Sequence, residues 1–171
     1  RRREVSVRVR HAEPRDAARL VELARDVGGE DEGWLITAGD WRTPWEERRY
    51  VRAVRRHADA AVLVAERNGT VVGRLSIARD PHPASRHVAD LGLMVARDYR
   101  RQGAGTALME AAESWARRVG ITKIELHVFP HNEPALALYE GLGYEREGLR
   151  RRHYSREDGK VDAILMAKEL T

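Results

Sequence analysis

The stretch that decides the fold reads Tyr99-Arg100-Arg101-Gln102-Gly103-Ala104-Gly105-Thr106. It stands where a strand-like segment gives way to a helical pattern. Closely spaced glycines let the backbone approach a ligand and turn its N–H groups in one direction. A helix that begins directly afterwards presents unsatisfied N–H donors and the positive end of its dipole. Arg100 and Arg101 add formal positive charge, so the segment predicts a cradle for an anion such as a pyrophosphate.

Two common phosphate-binding motifs do not fit this segment. A P-loop requires Gly-Lys-Ser/Thr at its end, but Gly105 is followed by Thr106 and Ala107. The dinucleotide-binding fingerprint requires a third glycine where this chain has Leu108. Glycines at the start of a helix can also serve structure alone, so the segment by itself leaves both interpretations open.

The hydrophobic periodicity around this segment predicts the other elements. Helical patterns follow Pro14 and Trp45, and a third runs to Val119. Asn68-Gly69 predicts a hairpin turn, because both turn residues need positive φ. Strand patterns occupy residues 5–9, 61–65, 71–77, 88–95, 123–129, about 144–154 and 161–168, and a short helix occupies 132–142.

The order of these elements is β-α-α-β-β-β-α-β-α-β-β. The early hairpin predicts antiparallel pairing, whereas the strand-helix-strand unit after Val88 requires a right-handed parallel crossover. We therefore predict an α/β (α+β) fold with a mixed sheet and helices on both faces. A length of 171 residues fits one domain, which we expect to span residues 1–171.

Composition and charge exclude several classes of protein. The chain has no cysteine, which excludes a disulfide framework, a thiolate metal site and a cysteine acyl-enzyme. The seven histidines are scattered, and we expect no metal site. The net charge of +4 comes without a basic stripe, and we expect no nucleic-acid surface. The longest apolar run, 60–65, is too short for a membrane span, and Arg1-Arg2-Arg3 precedes no signal-like segment, so we expect a cytoplasmic protein.

The pattern Arg100-x-x-Gly103-x-Gly105 resembles the acetyl-CoA signature of the GNAT superfamily, Arg/Gln-x-x-Gly-x-Gly/Ala, between the fourth strand and the third helix. Residues 93–95 resemble the strand that pairs with the pantetheine arm, and 132–144 resemble that superfamily's second motif. The resemblance covers about Val88 to Tyr144. It implies a mostly antiparallel sheet with a splayed strand pair that holds acetyl-CoA, and an N-acetyltransferase acting on a primary amine.

The resemblance also implies which residues bind the cofactor. Its pyrophosphate would accept hydrogen bonds from the backbone N–H groups of Gln102, Gly103, Ala104, Gly105 and Thr106. Its pantetheine amides would pair with the main chain of Met94 and Val95, and Gly92 would suit a break or a bulge in that strand. Asn132 is implied as a cofactor contact, although an N-cap role before Pro134 explains it equally.

Tyr139 is the first catalytic candidate. The resemblance implies that its hydroxyl approaches the cofactor sulfur and protonates the departing thiolate, for which a phenol with a pKa of about 10 is suited. The alternative is a buried core tyrosine whose hydroxyl is satisfied by the protein.

Asp90 is the candidate general base. An alkyl amine is mostly protonated at neutral pH and must lose a proton before it attacks. A carboxylate in an otherwise apolar strand is costly unless it is paired or used, and it resembles the acidic residue that many GNAT enzymes place there. The alternative is a salt bridge with Arg86 or His87. Glu125 and His127, on the next strand, are weaker candidates.

The acceptor site of that superfamily corresponds here to residues 30–45 and 150–162. Acidic residues with Trp34 and Trp41 would clamp a cation, or else form a solvated loop with two core aromatics. The run Arg150-Arg151-Arg152-His153-Tyr154 would meet an anion, or else protect an exposed strand. These clues conflict. Our first expectation is a small amine or amino-acid-like acceptor, and our second is a protein N-terminus or Lys.

Without a cysteine, we expect direct attack on acetyl-CoA in a ternary complex rather than an acetyl-enzyme. A homodimer stays open. The alternative from another class of protein is a non-catalytic coenzyme A-binding sensor or interaction module. The same cradle would serve that module, but Tyr139 and Asp90 would be dispensable in it.

Overall fold

The computed structural model describes residues 6–36 and 41–171, and the predicted order of elements is confirmed. The helices are α1 (Ala17–Gly28), α2 (Pro44–Arg55), α3 (Ala104–Arg118) and α4 (Glu133–Gly141). The strands are β1 (Arg8–His11), β2 (Ala60–Arg67), β3 (Thr70–Arg79), β4 (Val88–Val95), β5 (Lys123–Val128), β6 (Glu145–Arg156) and β7 (Gly159–Glu169). The first strand begins later than predicted, and Val5 lies outside the described residues.

The described strands form one seven-stranded sheet in the order β1-β2-β3-β4-β5-β7-β6. Only β4 and β5 pair in parallel, and the other neighbours are antiparallel. The mixed, mostly antiparallel sheet is therefore confirmed. The hairpin between β2 and β3 turns at Asn68 (φ 53°) and Gly69 (φ 77°), the positive φ pair that the dipeptide predicts.

The alternation of side chains along the strands builds a core on each face of the sheet. On β2, Leu63 belongs to the core under α3, whereas Val62 and Val64 belong to the core under α1 and α2. Helix α3 buries Leu108, Met109, Ala112 and Trp115 against the first face. Two apolar layers thus hold the sheet rigidly from both sides. None of the described helices has the length and apolar character needed to cross a membrane.

The sheet splits between β4 and β5. These strands pair only from Val88 with Lys123 to Asp90 with Glu125, after which β4 continues with β3 and β5 continues with β7. The predicted splayed pair is therefore present. The β3–β4 register runs without a shift past Gly92, so a bulge at Gly92 is wrong, and the break lies only on the β5 side.

Candidate active site

A cavity of about 830 Å³ occupies the gap between β4 and β5. Its lining on one face of the sheet comes from the start of α3 and from α4, including Gly103, Gly105, Asn132 and Tyr139. On the other face it comes from the segment after α1 and from the strands, including Trp34, Trp41, Arg74, Asp90 and Tyr154. One molecule bound in the gap and another bound on the opposite face would therefore meet inside the protein.

The start of α3 presents a row of unused backbone donors. Arg101 (φ 60°) and Gly103 (φ 90°) adopt left-handed conformations. The N–H groups of residues 101–106 donate to no acceptor among the described residues, and no side chain caps the helix. Consecutive N–H groups in such a turn form an anion-binding concavity, which the helix dipole reinforces. The donors and the adjoining gap fit a diphosphate attached to an extended arm.

Gly105 allows α3 to begin against its neighbours. A Cβ atom at Gly105 would lie 3.1 Å from Leu138 Cδ2 of α4 and 3.8 Å from Leu93 Cδ2 of β4. A side chain here would push the helix start away from the strand edge. Gly103 has open space around it and is needed instead for its positive φ.

Arg100 has a partner that the sequence did not predict. Its Nη1 and Nη2 donate to the two carboxylate oxygens of Glu30 at 2.6 Å each, and its Nε donates to the Val95 carbonyl at 3.0 Å. The charge that we expected to add to the cradle is therefore neutralised by Glu30. Arg100 instead fastens the segment after α1 to the end of β4, and the exposed Arg101 side chain and the helix N-terminus supply the positive potential.

Asp90 lies on the cavity wall without a partner of opposite charge. It forms no ion pair among the described residues, and Arg86 pairs with Asp59 instead, so the predicted salt-bridge alternative is wrong. The surrounding protein atoms and the nearby Glu125 carboxylate raise the pKa of Asp90 to about 6, although its hydrogen bond with the Leu91 backbone opposes the shift. The carboxylate still reaches solvent through the cavity.

Tyr139 is buried, with 6% of its surface exposed, and it lines the cavity. Its hydroxyl makes no hydrogen bond with the described residues. These residues therefore provide no support for the alternative of a core tyrosine whose hydroxyl is satisfied by the protein. Burial raises the pKa of Tyr139 above its ordinary value. The phenol therefore stays protonated at neutral pH and offers a proton donor to the gap.

The position of Asn132 is compatible with both of its predicted roles, the N-cap of α4 and the cofactor contact. Its Oδ1 accepts a hydrogen bond from the Ala135 N–H at 3.2 Å, as an N-cap of α4 does, and the residue also lines the cavity. Met94 packs its side chain on Leu23 and Val27 of α1, and its main chain pairs with Arg74 of β3, so the predicted main-chain contact of Met94 with pantetheine is not available at the open edge of β4. The Val95 carbonyl is already used by Arg100.

The comparisons with known proteins identify this architecture. The model of the acetyltransferase (GNAT) family matches residues 21–144. The chain belongs to the GNAT acetyltransferase family. It is an N-acetyltransferase that uses acetyl-CoA as its acetyl donor. The alternative of a non-catalytic sensor receives no support.

Three relatives illustrate the range of the family. The L-amino acid N-acetyltransferase AaaT of Escherichia coli K12 is 34% identical over 170 residues, which is 94% of this chain and 96% of that protein. The ribosomal protein bS18-alanine N-acetyltransferase of the same strain is 43% identical over 70 residues, which is 41% and 47% of the two chains. A GNAT acetyltransferase from Streptococcus pneumoniae has a TM-score of 0.86 at 29% identity, with 97% and 100% covered.

The opposite wall of this GNAT cavity contains a pair that the sequence did not predict. Tyr154 Oη lies 2.6 Å from His127 Nδ1. A register shift between Arg150 and Tyr154, with Arg152 at φ 50°, bends β6 at this point, and such a bulge redirects side chains. Burial and the charges of Arg150 and His153 lower the pKa of His127, which favours its neutral form.

The acidic segment after α1 pairs with the protein's own arginines. Glu30 binds Arg100, and Glu32 lies 3.5 Å from Arg97. Trp34 stacks on His131 with ring centroids 5.7 Å apart, and the guanidinium of Arg42 lies 5.3 Å from the Trp41 ring. Two acids of the predicted clamp, Glu30 and Glu32, are therefore engaged by the protein's own arginines, and both tryptophans line the cavity. Residues 37–40 of the predicted acceptor segment lie outside the described residues.

Arg74 is the functional candidate that sequence reasoning missed. It lies in the middle of β3, is 6% exposed and lines the cavity. The signal was available, because an arginine between Gly73 and Leu75 in an apolar strand is as costly as the carboxylate of Asp90 on β4. The run Arg150-Arg151-Arg152 is exposed on β6, the last strand of the sheet, as its edge-protecting interpretation predicts. Within the described ranges, no cluster of His, Cys, Asp and Glu is arranged to hold a metal ion.

Proposed function

We propose that this enzyme acetylates the α-amino group of a free amino acid by direct attack on acetyl-CoA in a ternary complex. The observation that carries the proposal is the continuous cavity, which joins the unused N–H donors at the start of α3 to the wall that bears Asp90. The relative named as an L-amino acid N-acetyltransferase supports the acceptor class, because its similarity extends over nearly the whole of both chains.

Acetyl-CoA supplies an activated acetyl thioester, and this chain supplies binding and positioning. In our proposal, the N–H groups of Gln102 to Thr106 bind the diphosphate, and the Val95 N–H at the open edge of β4 orients the arm. Holding two reactants in attack geometry removes much of the entropic barrier of a bimolecular step. Backbone donors at the splayed edge also polarise a carbonyl placed beside them.

Asp90 is proposed to remove the proton from the acceptor ammonium, directly or through a water molecule. A carboxylate with a pKa of about 6 is mostly ionised at pH 7. It is also a stronger base than an ordinary aspartate, and it faces the cavity without a competing cation among the described residues.

Tyr139 is proposed to stabilise the departing thiolate. Because burial raises the pKa of Tyr139, its phenol holds its proton more tightly than a thiol does. A hydrogen bond to the thiolate is therefore favoured before any complete proton transfer.

A second acceptor, the N-terminal amine of a protein, is favoured by the similarity to the bS18-alanine N-acetyltransferase. That similarity covers less than half of either chain, whereas the amino-acid N-acetyltransferase matches throughout. We therefore place the free amino acid first. A cytoplasmic location and a homodimer stay predictions.

The test measures thiol release from acetyl-CoA with free amino acids, simple amines and peptides that begin with alanine. We expect kcat/KM for the best amino acid to exceed that for any peptide by at least about tenfold. Faster acetylation of peptides would show that the acceptor is a protein N-terminus and not a free amino acid. Binding of coenzyme A with no thiol release from any amine would contradict the catalytic roles proposed for Asp90 and Tyr139.

A further inference from the structure

A buried arginine on β3 has more hydrogen-bond donors than the protein uses. Arg74 Nη2 lies 3.4 Å from Glu47 Oε1, which is a long contact, and Arg74 Nε has no acceptor among the described residues. A guanidinium carries five N–H donors, and leaving them unmet in a buried site is costly. Burial correspondingly lowers the pKa of Arg74 from its ordinary value, but an arginine remains charged.

The charges around Arg74 do not balance. Glu47 is completely buried and also accepts a hydrogen bond from Arg42 Nη1 at 2.8 Å. Among the described residues, two guanidinium groups therefore share one carboxylate, which leaves one positive charge in excess beside the cavity. Arg42 is 37% exposed and does not line the cavity, whereas Arg74 does. The uncompensated charge is therefore directed to the acceptor side of the site.

Aromatic rings hold the Arg74 guanidinium in place. Its Cζ lies 5.2 Å from the Trp41 ring centroid and 5.8 Å from that of Tyr50, within the range of cation–π attraction. Trp41 Nε1 is a second buried donor without an acceptor among the described residues, and Trp41 also lines the cavity. A buried cation with unmet donors on the cavity wall favours a ligand group that only accepts hydrogen bonds and carries negative charge. A carboxylate meets both requirements.

The register of β3 and β4 places Arg74 and Asp90 on the same face of the sheet. Arg74 lies opposite Met94, Ser76 opposite Gly92, and Ala78 opposite Asp90. At about 3.4 Å per residue, the backbone levels of Arg74 and Asp90 are roughly 14 Å apart, and both residues line the cavity. A positive group and a negative group at the two ends of one wall match the carboxylate and the ammonium of an amino acid.

We propose that Arg74 binds the α-carboxylate of the acceptor. This inference rests on the proposed function, and it makes Arg74 a specificity-determining residue. It selects free amino acids over simple amines and over peptide N-termini, which have no carboxylate next to the amine. It also orients the amino group towards Asp90.

The test compares acceptors that differ only in the carboxylate: L-phenylalanine with phenethylamine, and L-leucine with isoamylamine. We expect the wild-type kcat/KM to favour the amino acid by about 100-fold in each pair, because an unmatched buried cation rejects the analogue that lacks the anion. In Arg74→Met the ratio should fall below about fivefold. General damage to the variant lowers both rates and cancels in the ratio.

Arg49→Met is the matched control, because Arg49 also lies over a tryptophan ring, that of Trp45, but is exposed and does not line the cavity. It should keep the wild-type ratio. If Arg74→Met does not fold, Arg74→Lys keeps a charge but loses the planar donor fork, and its ratio should lie between those of wild type and Met.

An experiment on the wild-type enzyme avoids variants altogether. The amine-free carboxylate 3-phenylpropionate should inhibit competitively against L-phenylalanine, whereas 3-phenyl-1-propanol should not. Equal wild-type rates on an amino acid and its decarboxylated amine, or an unchanged ratio in Arg74→Met, would overturn the carboxylate site and leave acetyl transfer intact. Acetylation of peptides without acetylation of free amino acids would overturn the proposed acceptor itself.

Discussion

Asp90 and Glu125 stand side by side at the last paired position of β4 and β5. Burial is the larger cost of ionising Asp90, and the repulsion between the two carboxylates at the point where the sheet opens adds to it. Functional sites commonly retain a local arrangement of this kind although it lowers the stability of the fold. The raised pKa of Asp90 suits a base that accepts a proton from an amine at neutral pH.

The first prediction concerns the pH dependence of the rate. Because the base acts only when ionised, kcat/KM should rise with pH through about 6 in the wild-type enzyme. Asp90→Asn should lose this rise and about 100-fold of activity at pH 7. Glu125→Gln removes the neighbouring charge that raises the pKa of Asp90, so its profile should shift to lower pH. If the rise of kcat/KM with pH persists in Asp90→Asn, the base is another residue.

The second prediction concerns stability at the same residue. The pKa of Asp90 is raised in the folded state, so its stabilising contribution is complete below pH 4 and is lost as pH rises through about 6. Asp90→Asn should therefore unfold at higher urea concentration than wild type at pH 8. The difference should shrink towards pH 4. A difference that stays constant across this range would show that ionisation of Asp90 is not disfavoured by folding.

The third prediction concerns Tyr139, whose neighbour Tyr144 provides the control. Tyr139→Phe should lower kcat by at least about tenfold and leave the affinity for coenzyme A nearly unchanged. The two ring centroids are 6.0 Å apart, and Tyr144 has a buried hydroxyl without a partner among the described residues but does not line the cavity. Tyr144→Phe should keep kcat and should not destabilise the fold. Equal losses in both variants would indicate a packing effect.

At the scale of elements, helix α3 has a glycine in the left-handed conformation beside each end. Gly103 (φ 90°) precedes its first residue and Gly120 (φ 83°) follows its last turn, and neither would bring a Cβ within 4 Å of another atom. The same substitution therefore imposes similar strain at both positions. Only the first position adjoins the unused N–H donors.

The fourth prediction uses this symmetry. Gly103→Ala and Gly120→Ala should each lose about 1 kcal/mol of unfolding free energy, because alanine is strained at positive φ. Gly103→Ala alone should weaken coenzyme A binding, by at least about tenfold, because its strain turns donors away from the diphosphate. Isothermal titration and urea unfolding separate the two effects. Equal affinities of the two variants for coenzyme A would show that the diphosphate does not bind at this turn.

The elements that the sequence predicted are those specified by neighbouring residues. The Asn68-Gly69 turn, the strand at residues 88–95 and the glycine-rich start of α3 each depend on local conformation and periodicity. The pairs that it did not predict join distant segments: Arg100 with Glu30, Arg74 with Glu47, and His127 with Tyr154. Such contacts are fixed by packing, and the acceptor side consists largely of them. The cofactor side could therefore be predicted more fully than the acceptor side.

At the scale of the whole molecule, the sheet consists of two parts that separate beyond Asp90 and Glu125. Strands β1–β4 form one part and β5, β7 and β6 form the other. Helix α3 connects them in sequence, and its buried side chains pack on strands of the first part and contact the common core. The cavity in the gap is lined by residues of both parts, so a ligand that binds there in the folded state would add its binding energy to the stability of the whole fold.

The fifth prediction follows from this arrangement. A ligand that binds only the folded state stabilises it by about 2.7 kcal/mol at 100 times its Kd. For a chain of this size, coenzyme A should then raise Tm by roughly 5–10 °C. Pantetheine, which lacks the diphosphate, should give a much smaller increase at the same concentration. Gly103→Ala should reduce the coenzyme A shift towards the pantetheine value, whereas Gly120→Ala should not. Equal shifts from both ligands would mean that the gap binds the arm while the turn at residues 101–106 contributes nothing, because only coenzyme A brings an anion to those donors.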